Sequence, residues 1–323
     1  MKTLYLPIIE PGAHHATALE QKHGLFDALR LYGDVLQWDY LANDAETRFE
    51  GLIIRLDSFQ PDLVFTQFHA ADVITPDQLR DLRQRYPHIL WVNWSGDSWA
   101  WSLTAPSILE LARIYDLWLV SAPDTLPTYA AEGVEARFMQ IALEPVTQPL
   151  PEMPTYDVVF LGNVISEPRR RLLELLRQMT DLCVGIYGDW EQADGQNTYN
   201  FAEGEALYRN AIVAIADMAY PDQKNYISNR PFHVLAAGGA LLLHQHVERM
   251  DILSGLVAGK HFIEWQTLDD LPYLIRAWVG SRYARPRARI VKAGQAFVLR
   301  NHTWERRVEQ LMLEWLPEVK EKA

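Results

Sequence analysis

One cysteine, Cys183, is all the chain contains, so no internal disulfide can staple it. It lies in the apolar run Leu182-Cys183-Val184-Gly185-Ile186, which reads it as a buried small hydrophobe and not a nucleophile or ligand. Long hydrophobic runs are missing too. No window approaches the roughly 18 uninterrupted apolar residues of a membrane span, and Met1-Lys2-Thr3-Leu4-Tyr5 lacks the pattern of an export signal. The expected location is a reduced cytoplasm. An excess of positive charge is also absent: 30 Lys and Arg face 42 Asp and Glu, a formal net charge of −12. Dedicated binding to duplex phosphates calls for the opposite balance. The local run from Arg276 to Lys292, with Arg282, Arg285, Arg287 and Arg289, qualifies that exclusion, its plain reading being a solvated helix face. Finally, there is no Asp-x-Asp triad, no His/Cys set at zinc spacing, no P-loop, no Gly-x-Ser-x-Gly elbow and no Gly-x-Gly-x-x-Gly fingerprint.

What is present is regular. A chain of 323 residues, 49% hydrophobic and 22% charged, suits two globular domains of about 150 residues each. Leu4–Ile9, Leu63–Phe65, Ile89–Val92 and Leu117–Val120 read as buried strands. Between two of them Leu79, Leu82 and Tyr86 share one helix face. Strands alternating with helices predict parallel sheets covered on both faces. Pro145, Pro149, Pro151 and Pro154 interrupt the pattern, and a stretch so rich in proline reads as an extended linker. The alternation then resumes with strands at Val158–Leu161, Val184–Tyr187, Ile212–Ala216, Ala240–Leu243 and His261–Glu264. The predicted class is α/β, with two doubly wound domains joined by a proline-rich hinge.

In such sheets ligands bind outside the carboxyl ends of the strands. Two segments of the second half meet that rule. Val158–Leu161 runs into Gly162-Asn163, after which Glu167-Pro168-Arg169 opens a helix. The glycine lets backbone approach a ligand, and Arg169 is a candidate to reach a phosphate; a glycine of purely steric use is the competing reading. In the second segment Pro231 fits a first helical turn, with Ser228, Asn229 and Arg230 crowded before it. A cap, backbone donors and a guanidinium together make a diphosphate receptor. An ordinary capped helix, ending at Gly238-Gly239, is the alternative.

The run Asn229-Arg230-Pro231-Phe232-His233-Val234-Leu235-Ala236-Ala237-Gly238-Gly239-Ala240 resembles the N-x-R-x-F-E-x-L-A-x-G-G helix of CgeB/YkvP-like glycosyltransferases. Asp251–His261 and Asn301-His302-Thr303-Trp304-Glu305-Arg306-Arg307 extend the likeness, and so do Gln60-Pro61-Asp62-Leu63-Val64 and Trp91-Val92-Asn93-Trp94-Ser95-Gly96-Asp97. The resemblance implies a GT-B architecture: an acceptor domain over 1–147, a linker over 148–156, a nucleotide-sugar domain over 157–302, and a final helix over 303–323 crossing back to the first domain. The two Rossmann-like domains would face a cleft. It implies transfer of a sugar from a nucleoside diphosphate sugar, UDP-linked by preference, to a hydroxyl, without metal or other cofactor. Gly162, Asn163, Arg169, Gly188, Asn225, Ser228, Asn229, Arg230, His233 and Gly238 would form the donor site, with the ribose near His233 and the base near Gly188. Asn225 and His233 stand where retaining members often carry two glutamates, and a histidine offers ring nitrogens instead of two carboxylate oxygens.

In the first half, Gly12, His14 and His15 follow the first strand, and His14 is a candidate general base on an acceptor. His69 and Asp97 end two further strands, where a carboxylate could fix the histidine tautomer. Trp99 and Trp101 suit the apolar faces of a sugar. An exposed loop pair for the histidines and a helix cap for Asp97 are the competing readings. The acceptor could be a glycan, a protein, a small molecule or a modified DNA base, and the chain could form a homo-oligomer. A non-catalytic sugar-nucleotide-binding protein of the same fold is the alternative function.

Overall fold

The computed structural model describes residues 1–8, 24–68, 73–96, 106–144, 149–195, 201–218 and 225–322. They form two compact units, Met1–Ile141 together with Trp304–Ala323, and Ala142–Thr303.

In the first unit β1 (Lys2–Leu6), β2 (Asp34–Gln37), β3 (Leu63–Thr66), β4 (Leu90–Ser95), β5 (Leu117–Val120) and β6 (Ala136–Phe138) make one sheet in the order β2-β1-β3-β4-β5-β6. Every pairing is parallel. The central strands are buried along their whole length, as strands covered on both faces must be. Helices α1 (24–30), α2 (Arg48–Phe59), α3 (Pro76–Arg85), α4 (Pro106–Ala112) and α5 (Leu126–Ala131) connect them. At α3 the start signal is complete: Pro76 sits in the first turn, the Gln78 amide donates to Thr75 Oγ1 at 3.2 Å, and Gln78 Oε1 accepts from the Thr75 amide at 2.9 Å. The core is aromatic, with Trp91, Trp94, Trp118, Tyr5, Tyr40, Tyr129, Phe65 and Phe68 all buried.

The second unit has β7 (Tyr156–Leu161), β8 (Val184–Tyr187), β9 (Ala211–Ala216), β10 (Leu241–Gln245) and β11 (Ile263–Trp265) in the order β11-β10-β9-β7-β8, again all parallel. Around it lie α6 (Glu167–Arg177), α7 (Phe201–Arg209), α8 (Arg230–Ala237), α9 (Met250–Ser254), α10 (Leu271–Val279) and α11 (Ala284–Asn301). Leu172, Leu173 and Leu176 of α6 are fully buried, each contributing about 1.5–3 kcal/mol of transfer free energy. Helix α11 lies on α8 through Gly294, where an added Cβ would come 2.5 Å from the His261 carbonyl oxygen. The chain ends with α12 (Trp304–Gln310), a π-helical turn at Leu311–Trp315 and α13 (Leu316–Lys322). These belong to the first unit: Trp304 packs edge-on against Trp94 at 5.1 Å and fills the space beside Gly24, and Arg137 pairs with Glu318.

Two expectations need correction. Strands β2 and β6 have no counterpart in the sequence reading; both are edge strands with only half-buried side chains, so they lack an apolar run. Cys183 is exposed, not buried. It precedes β8, the other sheet's edge, where its amide donates to the Asp157 carboxylate at 2.8 Å.

Candidate functional site

Both sheets share one topological feature. The strand order reverses direction between β1 and β3 in the first unit, and between β7 and β9 in the second. Open parallel sheets bind ligands at the carboxyl ends flanking such a switch.

At the switch of the second unit, β7 ends in Gly162 and β9 ends at Asp217, which is 5% exposed. Arg169, on the first turn of α6, binds the Asp217 carboxylate through two parallel hydrogen bonds, Nε to Oδ2 and Nη2 to Oδ1, both 2.8 Å. Its third nitrogen, Nη1, donates to the Asn163 carbonyl at 2.9 Å. Arg230, the first residue of α8, donates from Nη1 to Asp217 Oδ1, also at 2.8 Å. One carboxylate thus ties together the starts of two helices. Burial alone would raise the Asp217 pKa, but the two guanidiniums outweigh it and hold the group below the ordinary carboxylate range. Two cations around one anion leave a net positive charge at the strand ends.

The two arginines are not equivalent. Arg169 is 2% exposed with its donors engaged, while the Arg230 side chain is 12% exposed and lies over the Phe160 ring at 4.9 Å. Tyr208 is buried near Arg230, and burial pushes its phenol up to about 12 while the neighbouring guanidinium pulls it down. The glycines are where they are because of this packing. Gly162 has φ +156°, and a Cβ there would lie 2.2 Å from Arg230 Nη2. Gly188, after β8, has φ +157°, and its Cβ would meet the Gly162 carbonyl oxygen at 2.1 Å. Neither position accepts a side chain. Asn163 bridges the same two loops, its Oδ1 accepting from the Asp189 amide at 3.0 Å.

Helix α8 departs from expectation in two ways. Asn229 takes the N-cap place with helical dihedrals and forms no side-chain cap bond, so Ser228 and Asn229 flank the helix start without closing it. Gly238 sits at the other end, about 12 Å from Arg230. It is the left-handed C-cap, φ +69°, with Gln295 filling the space where a Cβ would go. Gly238 terminates the helix and does not line the switch point. His233 is buried, which drives its pKa down to about 3 and keeps the ring neutral. His244 on β10 is neutral for the same reason, at about 4, with Nδ1 held by the Gln245 carbonyl at 2.5 Å. Asn225 is half-buried two residues before Ile227, which is itself buried.

At the switch of the first unit the described groups that join the strand ends are neutral, although the Asp39 carboxylate after β2 adds to burial in raising the Tyr5 phenol. Tyr5 donates to Gln67 Oε1 at 2.6 Å, Asn93 Oδ1 accepts from Thr66 Oγ1 at 2.6 Å and from the Phe68 amide at 2.8 Å, and Asn93 Nδ2 donates to the Phe68 carbonyl at 3.1 Å. These bonds fix the strand ends that lead toward His69 and Asp97. Gly12, His14, His15, His69, Asp97, Trp99 and Trp101 themselves lie outside the described residues. Among the described residues no three His, Cys, Asp or Glu side chains are grouped to hold a metal ion, and no helix is long and apolar enough to cross a membrane.

Residues 169–313 match the family model described as glycosyl transferase-like. That stretch begins at Arg169 and includes Asp217 and Arg230. Solved structures of similar fold include Anabaena HepE in complex with UDP-glucose, with a TM-score of 0.61, 11% identity and all of both chains covered. A glycosyltransferase from Rickettsia africae superposes with a TM-score of 0.62 at 9% identity, over 100% of this chain and 99% of that one. AviGT4, a glycosyltransferase involved in avilamycin A biosynthesis, gives 0.62 at 10% identity, over 99% and 98%. No curated protein matches by sequence. The fold is that of the GT-B glycosyltransferases.

Within the GT-B frame, the structure brings Gly162, Asn163, Arg169, Gly188 and Arg230 together and adds three residues that sequence reasoning missed: Phe160, Tyr208 and Asp217. Asp217 did leave a signal, as the charged residue that ends the apolar run Ala211–Ala216 at the carboxyl end of a central strand.

Proposed function

We propose that the protein is a glycosyltransferase that uses a nucleoside diphosphate sugar, UDP-linked by preference, and that it belongs to the CgeB/YkvP-like branch of the GT-B enzymes. The observation that carries this reading is Arg230: a partly open guanidinium at the start of a helix, anchored by a buried carboxylate and seated against Gly162, whose lack of a side chain makes room for it. A diphosphate there meets a fixed cation and the positive end of a helix dipole. HepE, of the same fold, has been solved with UDP-glucose, which supports the choice of nucleotide.

In this reading Arg230 touches the diphosphate and Arg169 acts through Asp217, holding Arg230 in place. The uracil and ribose lie toward Gly188 and His233, with Asn163, Asn225, Ser228 and Asn229 supplying polar groups around them. As the sugar–phosphate bond breaks, negative charge grows on the leaving diphosphate. A preorganised cation and the helix dipole stabilise that charge without reorganising, so the step needs no metal. The first unit holds the acceptor, with Gly12, His15, Trp99 and Trp101 around it and His14, His69 and Asp97 as the candidates for general base. The location is cytoplasmic.

A thermal-shift panel of UDP-, GDP-, ADP-, TDP- and CMP-linked sugars tests the class and names the donor, because binding stabilises the fold by mass action. UDP-sugars should raise the melting temperature most, and Arg230→Ala should weaken UDP at least about tenfold, the low end for loss of a charged hydrogen bond. A folded protein indifferent to the whole panel would sink the proposal. A second reading rests on His233, a neutral ring in place of a carboxylate: a protein that binds the nucleotide and transfers nothing. UDP binding with no donor hydrolysis and no transfer would favour it.

A further inference from the structure

Charge is distributed very unevenly along this chain. Residues 271–304 hold seven Arg and Lys and no Asp or Glu; taking that +7 out of the net −12 leaves −19 on the rest. The fold turns this run into a surface. Helix α11 buries Ile290, Val291, Gly294 and Val298 against the second unit. Its opposite side exposes Arg285, Arg289 and Lys292, at spacings of four and three that place them on one face. Exposed Arg282 precedes them, its guanidinium 6.0 Å over the Tyr283 ring. None of these four cations forms an ion pair among the described residues, whereas Arg276 is paired with Asp181 and Arg287 donates to the Trp278 and Val279 carbonyls. Between the cations stand Ala284 and Ala288, exposed and small. On the neighbouring helix α10 Tyr273 is 78% exposed, and Trp278 packs on Tyr283 at 5.0 Å.

We propose that the α10–α11 face, with Arg282, Arg285, Arg289, Lys292 and Tyr273, docks the protein on an anionic lipid surface. Three cations on one face of α11, with Arg282 in the turn before it, suit a plane of negative headgroups, and a tyrosine has the amphipathic ring of the membrane interface. The face carries no Asn or Gln to read nucleic-acid bases. Screening over about 8 Å at physiological salt weakens the repulsion of the surface by acidic groups farther from it than that. This inference is independent of the donor site.

Co-sedimentation of the whole chain with vesicles is the test. Binding is expected to phosphatidylcholine vesicles containing phosphatidylglycerol, not to phosphatidylcholine alone, and to weaken at high salt. Each of Arg285→Ala, Arg289→Ala and Lys292→Ala should lower partitioning about fivefold, and Tyr273→Ser a few-fold, with unchanged melting and unchanged UDP affinity. Equal binding to neutral vesicles, no binding to anionic ones, or variants that partition like the parent would overturn the proposal. So would tighter retention on DNA than on vesicles of equal charge, or a salt-sensitive self-association that the same variants abolish.

Discussion

The two units have the same strand order at their switch points and opposite chemistry there. In the first, the ends of β1, β3 and β4 are joined by Tyr5, Gln67, Thr66 and Asn93, neutral groups in short hydrogen bonds over an aromatic core. In the second, the ends of β7 and β9 are joined by a buried carboxylate between two guanidiniums, with neutral histidines nearby. Topology decides where a site lies in these sheets; the residue that ends each strand decides what the site can hold. A net positive strand end suits a diphosphate.

The largest expected effect breaks this contrast from the charged side. Asp217→Asn leaves two guanidiniums without their anion, and should destabilise the second unit by about 3–5 kcal/mol, the usual result of removing one partner from a buried pair. Hydrogen exchange resolved by peptide should quicken across β7 and β9 while β4 stays protected; uniform quickening would mean the effect is not local. The matching change on the aromatic side is Trp118→Ala, which removes a fully buried ring in contact with Tyr115 and should cost about 3–5 kcal/mol. It should quicken exchange in β4 and β5 and leave UDP affinity unaltered, because no residue of the proposed donor site belongs to that unit.

Acid should sharpen the contrast by a smaller amount. His233 and His244 have folded pKa values of about 3 and 4, below the ordinary 6.5, because burial disfavours their charge. An unfolded chain takes up protons below pH 6.5 that the folded one refuses, so this stability is complete above pH 6.5 and is lost as pH falls toward 4. Glu205, pushed up to about 7 by burial, acts in the opposite sense over much of that window, and the lowered His261 adds to the first effect. The net loss in the second unit should be about 0.8 kcal/mol per pH unit, read from urea midpoints between pH 7 and 5. The first unit responds at the other extreme. Burial raises the phenols of Tyr5, Tyr115 and Tyr129, so their stabilisation is present below pH 10 and lost as pH climbs beyond it. The smallest effect belongs to Cys183: alkylating this exposed thiol should shift stability by no more than about 0.5 kcal/mol. A larger change would mean that the β8 edge is coupled to the sheet interior.

Much of this was legible in the amino-acid order. The apolar runs at 63–65, 158–161 and 212–216 could only be buried strands, and their alternation with helical stripes specified two parallel sheets. Gly162, Arg169 and Arg230 were visible because strand-to-helix turns are few and their special residues stand out. Other features could not be read in this way. The edge strands β2 and β6 bury too little to leave an apolar pattern, and Cys183 looks buried in sequence because its neighbours are apolar, although the strand it precedes lies at the sheet's edge. The roles of the two arginines depend on a residue 48 positions from one and 13 from the other. Sequence alone determined that positive groups stand at the start of two helices. Only the tertiary structure brought Asp217 between them, and burial there makes one arginine an internal brace and leaves the other partly open to a ligand.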